Sequence, residues 1–215
     1  MSQLFCIMTG DLLGSSGAAD GAVDATFRTL THSFAQFDQW WPTSGGARLT
    51  RYRGDGWQAL LAQPDQALRA ALYLLARLRA QESSLGSRIA LGFGTIDRLG
   101  PDTLADASGA AFTASGRLLD ALPRGQVLAV AGTGITPLHQ AVALLLGERV
   151  QKWSPEQAQA VALSLDHSTR IQADVAARLG ISVQAVNARL SAAGYPAILG
   201  ALDLWDQANR KLWHD

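Results

Sequence analysis

The chain has a single cysteine, Cys6, among its 215 residues, which excludes an internal disulfide. Cys6 sits in an apolar run with no base placed beside it, so it reads as a small buried hydrophobe rather than a nucleophile. The four histidines, His32, His139, His167 and His214, stand far apart and lack metal-ligand spacing. Charge of one sign is also missing. Eighteen basic and eighteen acidic residues cancel, so no global field draws the protein to nucleic acid or an acidic membrane. No apolar run reaches the roughly 18 residues of a membrane span, and there is no signal-peptide pattern, so a soluble cytoplasmic protein with no membrane partner is expected. Ser15 and Ser16 have no His–Asp arrangement near them, which removes triad hydrolysis. Gly92-x-Gly94 lacks the third glycine of a dinucleotide fingerprint.

What is present is a pair of similar short segments. Met8-Thr9-Gly10-Asp11-Leu12-Leu13-Gly14-Ser15 and Arg53-Gly54-Asp55-Gly56-Trp57 each place one Asp at the end of an apolar, strand-like run. Taken singly, each is most often a tight turn in which Asp bonds its own backbone. Taken together, two carboxylates on neighbouring strands can hold a divalent cation, and the Gly14-Ser15-Ser16-Gly17 stretch can cradle a phosphate with its backbone amides. Without a cation the two carboxylates repel, so either a metal or one of Arg51, Arg53 and Arg117 is expected beside them.

The surrounding pattern gives an element order. Ala22 to Gln39 is helical, with Phe27, Leu30, Phe34 and Phe37 on one side, and Pro64 to Ala80 is a second helix with Leu68, Ala71, Leu72, Leu75 and Leu78 in phase. Arg88 to Asp97 reads as a buried strand whose two glycines admit a close neighbour. Ala111 to Leu122 follows as a helix carrying Arg117, then Gln126 to Ala131 as a strand. Strand, helix, hairpin, helix, strand, helix, strand predicts an α+β, ferredoxin-like arrangement with Asp11 on the first strand and Asp55 in the hairpin.

These residues resemble the class III nucleotidyl cyclases. The matching stretches are Asp11-Leu12-Leu13-Gly14-Ser15-Ser16, Gly54-Asp55-Gly56-Trp57, Arg88-Ile89-Ala90-Leu91 and Phe112-Thr113-Ala114-Ser115-Gly116-Arg117-Leu118. The resemblance implies that Asp11 and Asp55 bind Mg2+ or Mn2+. It also implies that Leu12, Leu13, Gly14, Ser15, Ser16, Arg51 and Thr113 line a nucleotide, and that Arg117 acts at the transition state if the protein is an enzyme. Three departures stand out: Thr113 replaces an Asn, Arg51 a base-reading Lys, and Ala110 the Asp or Thr that selects the base. Base recognition is therefore the least preserved function, and little or no cyclisation is expected.

A second resemblance, to the bacterial SatD family, spans nearly the whole chain. It rests on Gly10-Asp11-Leu12-Leu13-Gly14-Ser15, Gly54-Asp55-Gly56-Trp57-Gln58-Ala59, Arg88 to Gly94, Ala110 to Arg117 and a C-terminal helix-turn-helix. Gly56 stands where that family carries a Glu.

The C-terminal third has signals of its own. Ser154, Pro155 and Gln157 make a capped helix start. Gln172 to Leu179, a turn at Gly180-Ile181-Ser182, and Val183 to Ala192 pattern as a helix-turn-helix, with Val175, Leu179, Ile181, Val186 and Leu190 inward. Gln184, Asn187 and Arg189 are placed to read bases, and Arg178, Arg170 and Lys152 to hold phosphates. From residue 140 onward, however, seven basic side chains meet seven acidic ones, so phosphate attraction is weak and a protein-contact role stays open. The expected organisation is residues 1–134 as a nucleotidyl cyclase-like domain, 135–152 as a linker helix and 153–215 as a helix-turn-helix domain. The expected function is a homodimeric, DNA-binding transcriptional regulator of SatD type whose first domain binds a nucleotide or serves dimerisation. The alternative is an active metal-dependent nucleotidyl cyclase or nucleotidyl-transfer enzyme.

Overall fold

Alternation of apolar side chains along the first strand sets up two layers. In β1 (Phe5–Leu12), Cys6, Met8 and Leu12 enter one hydrophobic cluster, while Ile7 enters another on the opposite face. The computed structural model describes the chain apart from residues 1–2, 43–46, 53, 83, 101–102, 170 and 215, with backbone alone at 211–214. After β1 come α1 (Ala22–Trp40), β2 (Arg48–Tyr52), β3 (Gly56–Leu61), α2 (Ala67–Arg79), β4 (Ser87–Gly94), α3 (Ala110–Asp120) and β5 (Leu128–Gly132). The sheet order is β2-β3-β1-β4-β5, antiparallel except for the parallel β4–β5 pair. The α+β class and the element order follow the sequence pattern.

Helices cover both faces. α1 buries Phe27, Leu30, Phe34 and Phe37, the face its spacing predicts. α3 lies on the other face, seated so tightly on β4 that a Cβ at Gly92 would stand 2.3 Å from the Ala111 carbonyl oxygen. That close approach is what the two strand glycines announce. Thr9 Oγ donates to Ser115 Oγ at 2.7 Å and fixes α3 against β1.

α2 is buried nearly all round, including Leu68, Ala70, Ala71, Leu72, Leu74, Leu75 and Leu78. One flank meets α1 and β4 and another meets α5 (Pro155–Leu165), so a single apolar cluster runs from the sheet through α2 into the C-terminal helices. Before α5, α4 (Pro137–Gln151) packs on β5, with Gly147 pressed on Leu128. After it come α6 (Gln172–Leu179) and α7 (Val183–Ala193), joined through left-handed Gly180 and capped by Ser182, whose Oγ accepts from Ala185 N at 3.1 Å. The Ser154–Gln157 capping box is formed in both directions, at 3.2 and 3.0 Å.

One long element has no counterpart in the sequence reading. α8 (Tyr195–His214) begins right after Gly194, the left-handed cap of α7, and buries Ile198, Leu202, Trp205 and Asn209. Pro196 in its first turn and the 198–202–205–209 spacing were the available signals. No helix among the described residues is long and apolar enough to cross a membrane.

Candidate functional site

The sheet end where β1 finishes is built by three short-range features. β1 continues into a tight 3-10 turn, Ser15–Gly17, through Gly14 at φ 73°, a conformation that favours glycine. The β2–β3 hairpin closes through Gly54, also left-handed at φ 74°, which delivers Asp55 beside β1. Strand pairing then sets Asp11 opposite Gly56, and Leu12 N donates to Asp55 O at 3.2 Å. Asp11 and Asp55 therefore sit one register step apart at the same end of the sheet, both partly exposed. Ser15 donates its hydroxyl to Asp55 Oδ2, which ties the turn to the second carboxylate.

The counter-charge comes from a residue the expectation had not chosen. Arg88 lies directly across β4 from Asp11 and grips it with two nitrogens, Nε to Oδ1 at 2.9 Å and a terminal nitrogen to Oδ2. Both side chains are about a quarter exposed, at 26% and 27%. Hydrogen bonding to Asp11 raises the Arg88 pKa above its ordinary value, with burial opposing. Arg51 instead turns to Asp24 at 3.3 Å, lies 4.3 Å over the Phe27 ring and donates Nε to Gly54 O at 3.0 Å. Arg53 lies outside the described residues. Arg117 and Thr113 share the exposed outer face of α3, one turn apart, and neither meets either Asp. For Asp11 the counter-charge is thus Arg88 rather than Arg51 or Arg117.

The remaining candidates fall as follows. Leu12 is buried under the turn, whereas Leu13 is 42% exposed with its N–H on Gly86 O at 2.8 Å. Gly14 and Ser16 are exposed on the turn and Ser15 is half-buried. Ala110 opens α3, with its Cβ close to Gly94. Among the described residues no cluster of three or more His, Cys, Asp and Glu side chains exists. A cation here has two carboxylates and must draw its other oxygens from water or a bound phosphate, a donor set that suits Mg2+ or Mn2+. Asp11 would then be shared with, or given up by, Arg88. Trp57 is buried with its indole N–H on Ser87 Oγ at 3.1 Å, and Trp40 stacks on His167 at 5.0 Å.

No protein-family model matches the chain, and no curated protein sequence matches it. Similar solved structures include the catalytic core of a rhodopsin-guanylyl cyclase with converted specificity, in complex with ATPalphaS (18% identity, 61% of this chain and 77% of that one, TM-score 0.43). Another is the guanylyl cyclase Cya2 (19% identity, 61% and 77%, TM-score 0.40). A third is a bacterial light-regulated adenylyl cyclase (18% identity, 72% and 82%, TM-score 0.41).

The expectation of a DNA-binding transcriptional regulator is corrected. Two of the cations expected on DNA already have carboxylates of the protein beside them. Arg178 donates to the buried carboxylate of Asp166 at 3.2 Å and to Ser168 Oγ at 2.9 Å. Arg189 is half-buried and close enough to Glu156 to help the Ser154 hydroxyl, the larger influence, hold that carboxyl below its usual range. Gln184 and Asn187 remain exposed on α7. Arg170 lies outside the described residues.

Proposed function

We propose that this protein is a metal-dependent nucleotidyl cyclase-type enzyme that grips a nucleoside triphosphate at the end of β1. The observation that carries this reading is the placement of Asp11 and Asp55 one register step apart at the same sheet end, with Ser15 of the Gly14–Gly17 turn bonded to the second carboxylate. The turn's backbone amides meet the phosphates. Asp11 and Asp55 would hold Mg2+ or Mn2+, which when bound supplies positive charge against the triphosphate. With such an ion in place, Arg88 would be free to turn its guanidinium from Asp11 to a phosphate oxygen. In the cyclisation implied by the class III resemblance, a ribose hydroxyl bonds to the α-phosphorus, its proton leaves to water, and the bond to the β-phosphate breaks as pyrophosphate departs. Arg117 supports the developing charge.

Turnover is slow. Thr113 and Ala110 stand where that resemblance calls for other groups, and each lost donor to a developing charge costs about 10²–10³-fold. The ferredoxin-like residues 1–134 form the catalytic unit, 135–152 a linker helix, and 153–215 an accessory segment of SatD-type helix-turn-helix form. The active species is a homodimer. Arg117 and Thr113 are exposed and make no contact with their own Asp pair, and nearby α4 exposes Leu138 (78%), Leu144 (50%) and Leu145 (68%), apolar surface that a second copy covers.

The test is calorimetric titration of a non-hydrolysable triphosphate analogue with and without Mg2+ or Mn2+, followed by chromatography of products from the natural nucleotide. Binding is expected only with the cation, and it disappears in Asp55→Ala. Absence of cation-dependent binding for every common nucleoside triphosphate overturns the reading.

A further inference from the structure

Behind the Gly14–Gly17 turn, on the α2 side of the sheet, lies a cavity of about 310 Å³, at the lower end of the range for small-molecule sites. Leu78 of α2, Val127 before β5 and Val150 of α4 form its apolar floor, and Leu13 closes it from the turn side. Leu78, Val127 and Val150 are each at most 5% exposed, so this floor is fixed by the core.

Two opposite charges border the same space. Arg79, the last residue of α2, donates Nε to Trp153 O at 2.5 Å, which anchors the guanidinium while its terminal nitrogens meet no partner among the described residues. Glu82, three residues on, forms no ion pair among the described residues, with Arg79 or any other cation. A cation and an anion that line one cavity without pairing across it are the complement of a zwitterion.

We propose that this cavity binds a small α-amino acid with a branched apolar side chain, its carboxylate on Arg79, its ammonium on Glu82 and its side chain on the Leu78–Val127–Val150 floor. The site lies outside the nucleotide site and its occupancy does not depend on that reading. It is nonetheless coupled to the turn through Leu13. The Leu13 side chain borders the cavity and packs within 3.2 Å of the Cβ position of Gly86, and its N–H bonds Gly86 O at 2.8 Å. A ligand that covers Leu13 holds the first residue of the Leu13–Gly17 segment in place.

The experiment titrates the full chain, without nucleotide or metal, with L-leucine, 4-methylpentanoate and isopentylamine, following two-dimensional NMR shifts. L-Leucine is expected to saturate in the millimolar range or tighter, each one-charge probe about tenfold or more weaker, and the Leu13 amide to exchange more slowly when leucine is bound. Glu82→Gln is exposed and outside the core, so it folds. It should weaken leucine about tenfold and leave 4-methylpentanoate unchanged. Arg79→Lys, which keeps the charge but not the fork, should weaken both acids. No saturable leucine binding, or equal affinity for leucine and 4-methylpentanoate, overturns the proposal while leaving the nucleotide reading untouched. An unaltered leucine affinity in Glu82→Gln does the same.

Discussion

Replacing Arg88 by Met removes the internal counter-ion of the acidic pair and keeps the apolar stem. At an effective dielectric near 20, contact between unit charges amounts to about 4 kcal/mol before desolvation is charged against it. Both partners keep roughly a quarter of their exposure, so the net contribution lies between that of a surface pair and a buried one, about 1–2 kcal/mol. For a chain of this length that is a fall in Tm of about 2–8 °C. The variant also frees Asp11 of the guanidinium that competes with a cation, so its melting should depend on Mg2+ more strongly than that of the wild type. A site with Kd near 1 mM returns about 1.4 kcal/mol at roughly 10 mM Mg2+. The assay is thermal melting of both proteins across a Mg2+ series, with NaCl at matched ionic strength to remove simple screening. If Arg88→Met melts with the wild type, or if Mg2+ raises both equally, Arg88 is not the group that balances this site.

Three further outcomes are expected. Gly92→Ala forces a methyl into the α3 backbone, 2.3 Å from the Ala111 oxygen, and should cost about 1–3 kcal/mol in urea denaturation. His139 accepts Thr136 N–H on Nδ1 at 3.1 Å, and burial lowers its pKa with Asn209 opposing. It stays neutral in the fold, so its contribution is intact above its ordinary pKa near 6.5 and is lost as pH falls from there towards the depressed folded value. Melting between pH 7 and 5 should show that slope, and His139→Gln should reduce it. Leu145→Asp, on a 68% exposed position, should leave the far-ultraviolet spectrum intact and shift the mass by light scattering from dimer to monomer.

The sheet and its helices were legible because the relevant patterns are local. The Phe27–Leu30–Phe34–Phe37 face, the Ser154 capping box and the strand glycines each declare themselves within a dozen residues. The electrostatics of the site were not. Arg88 stands 77 positions from Asp11, and only the β1–β4 register makes them neighbours. Arg51 was expected in the site because the cyclase resemblance puts it where a Lys reads the base, but in the fold it meets Asp24 and the Phe27 ring, one turn of α1 apart. Arg178 has the right place on its helix for a phosphate contact, and what removes it is Asp166, whose burial no pattern in the sequence displays. A charge count states how many cations a segment owns; only the fold states how many are already committed.

The all-round burial of α2 has a consequence during synthesis. Its inner flank has partners once β4 is made, but its outer flank waits for α5, which ends at Leu165, 86 residues after Arg79. At roughly 5–20 residues per second the ribosome leaves that flank uncovered for about 4–17 s. A nascent chain paused before residue 155 therefore displays Leu-rich helix surface beside a nearly finished sheet. It is at that interval that the protein is expected to engage a chaperone or to aggregate.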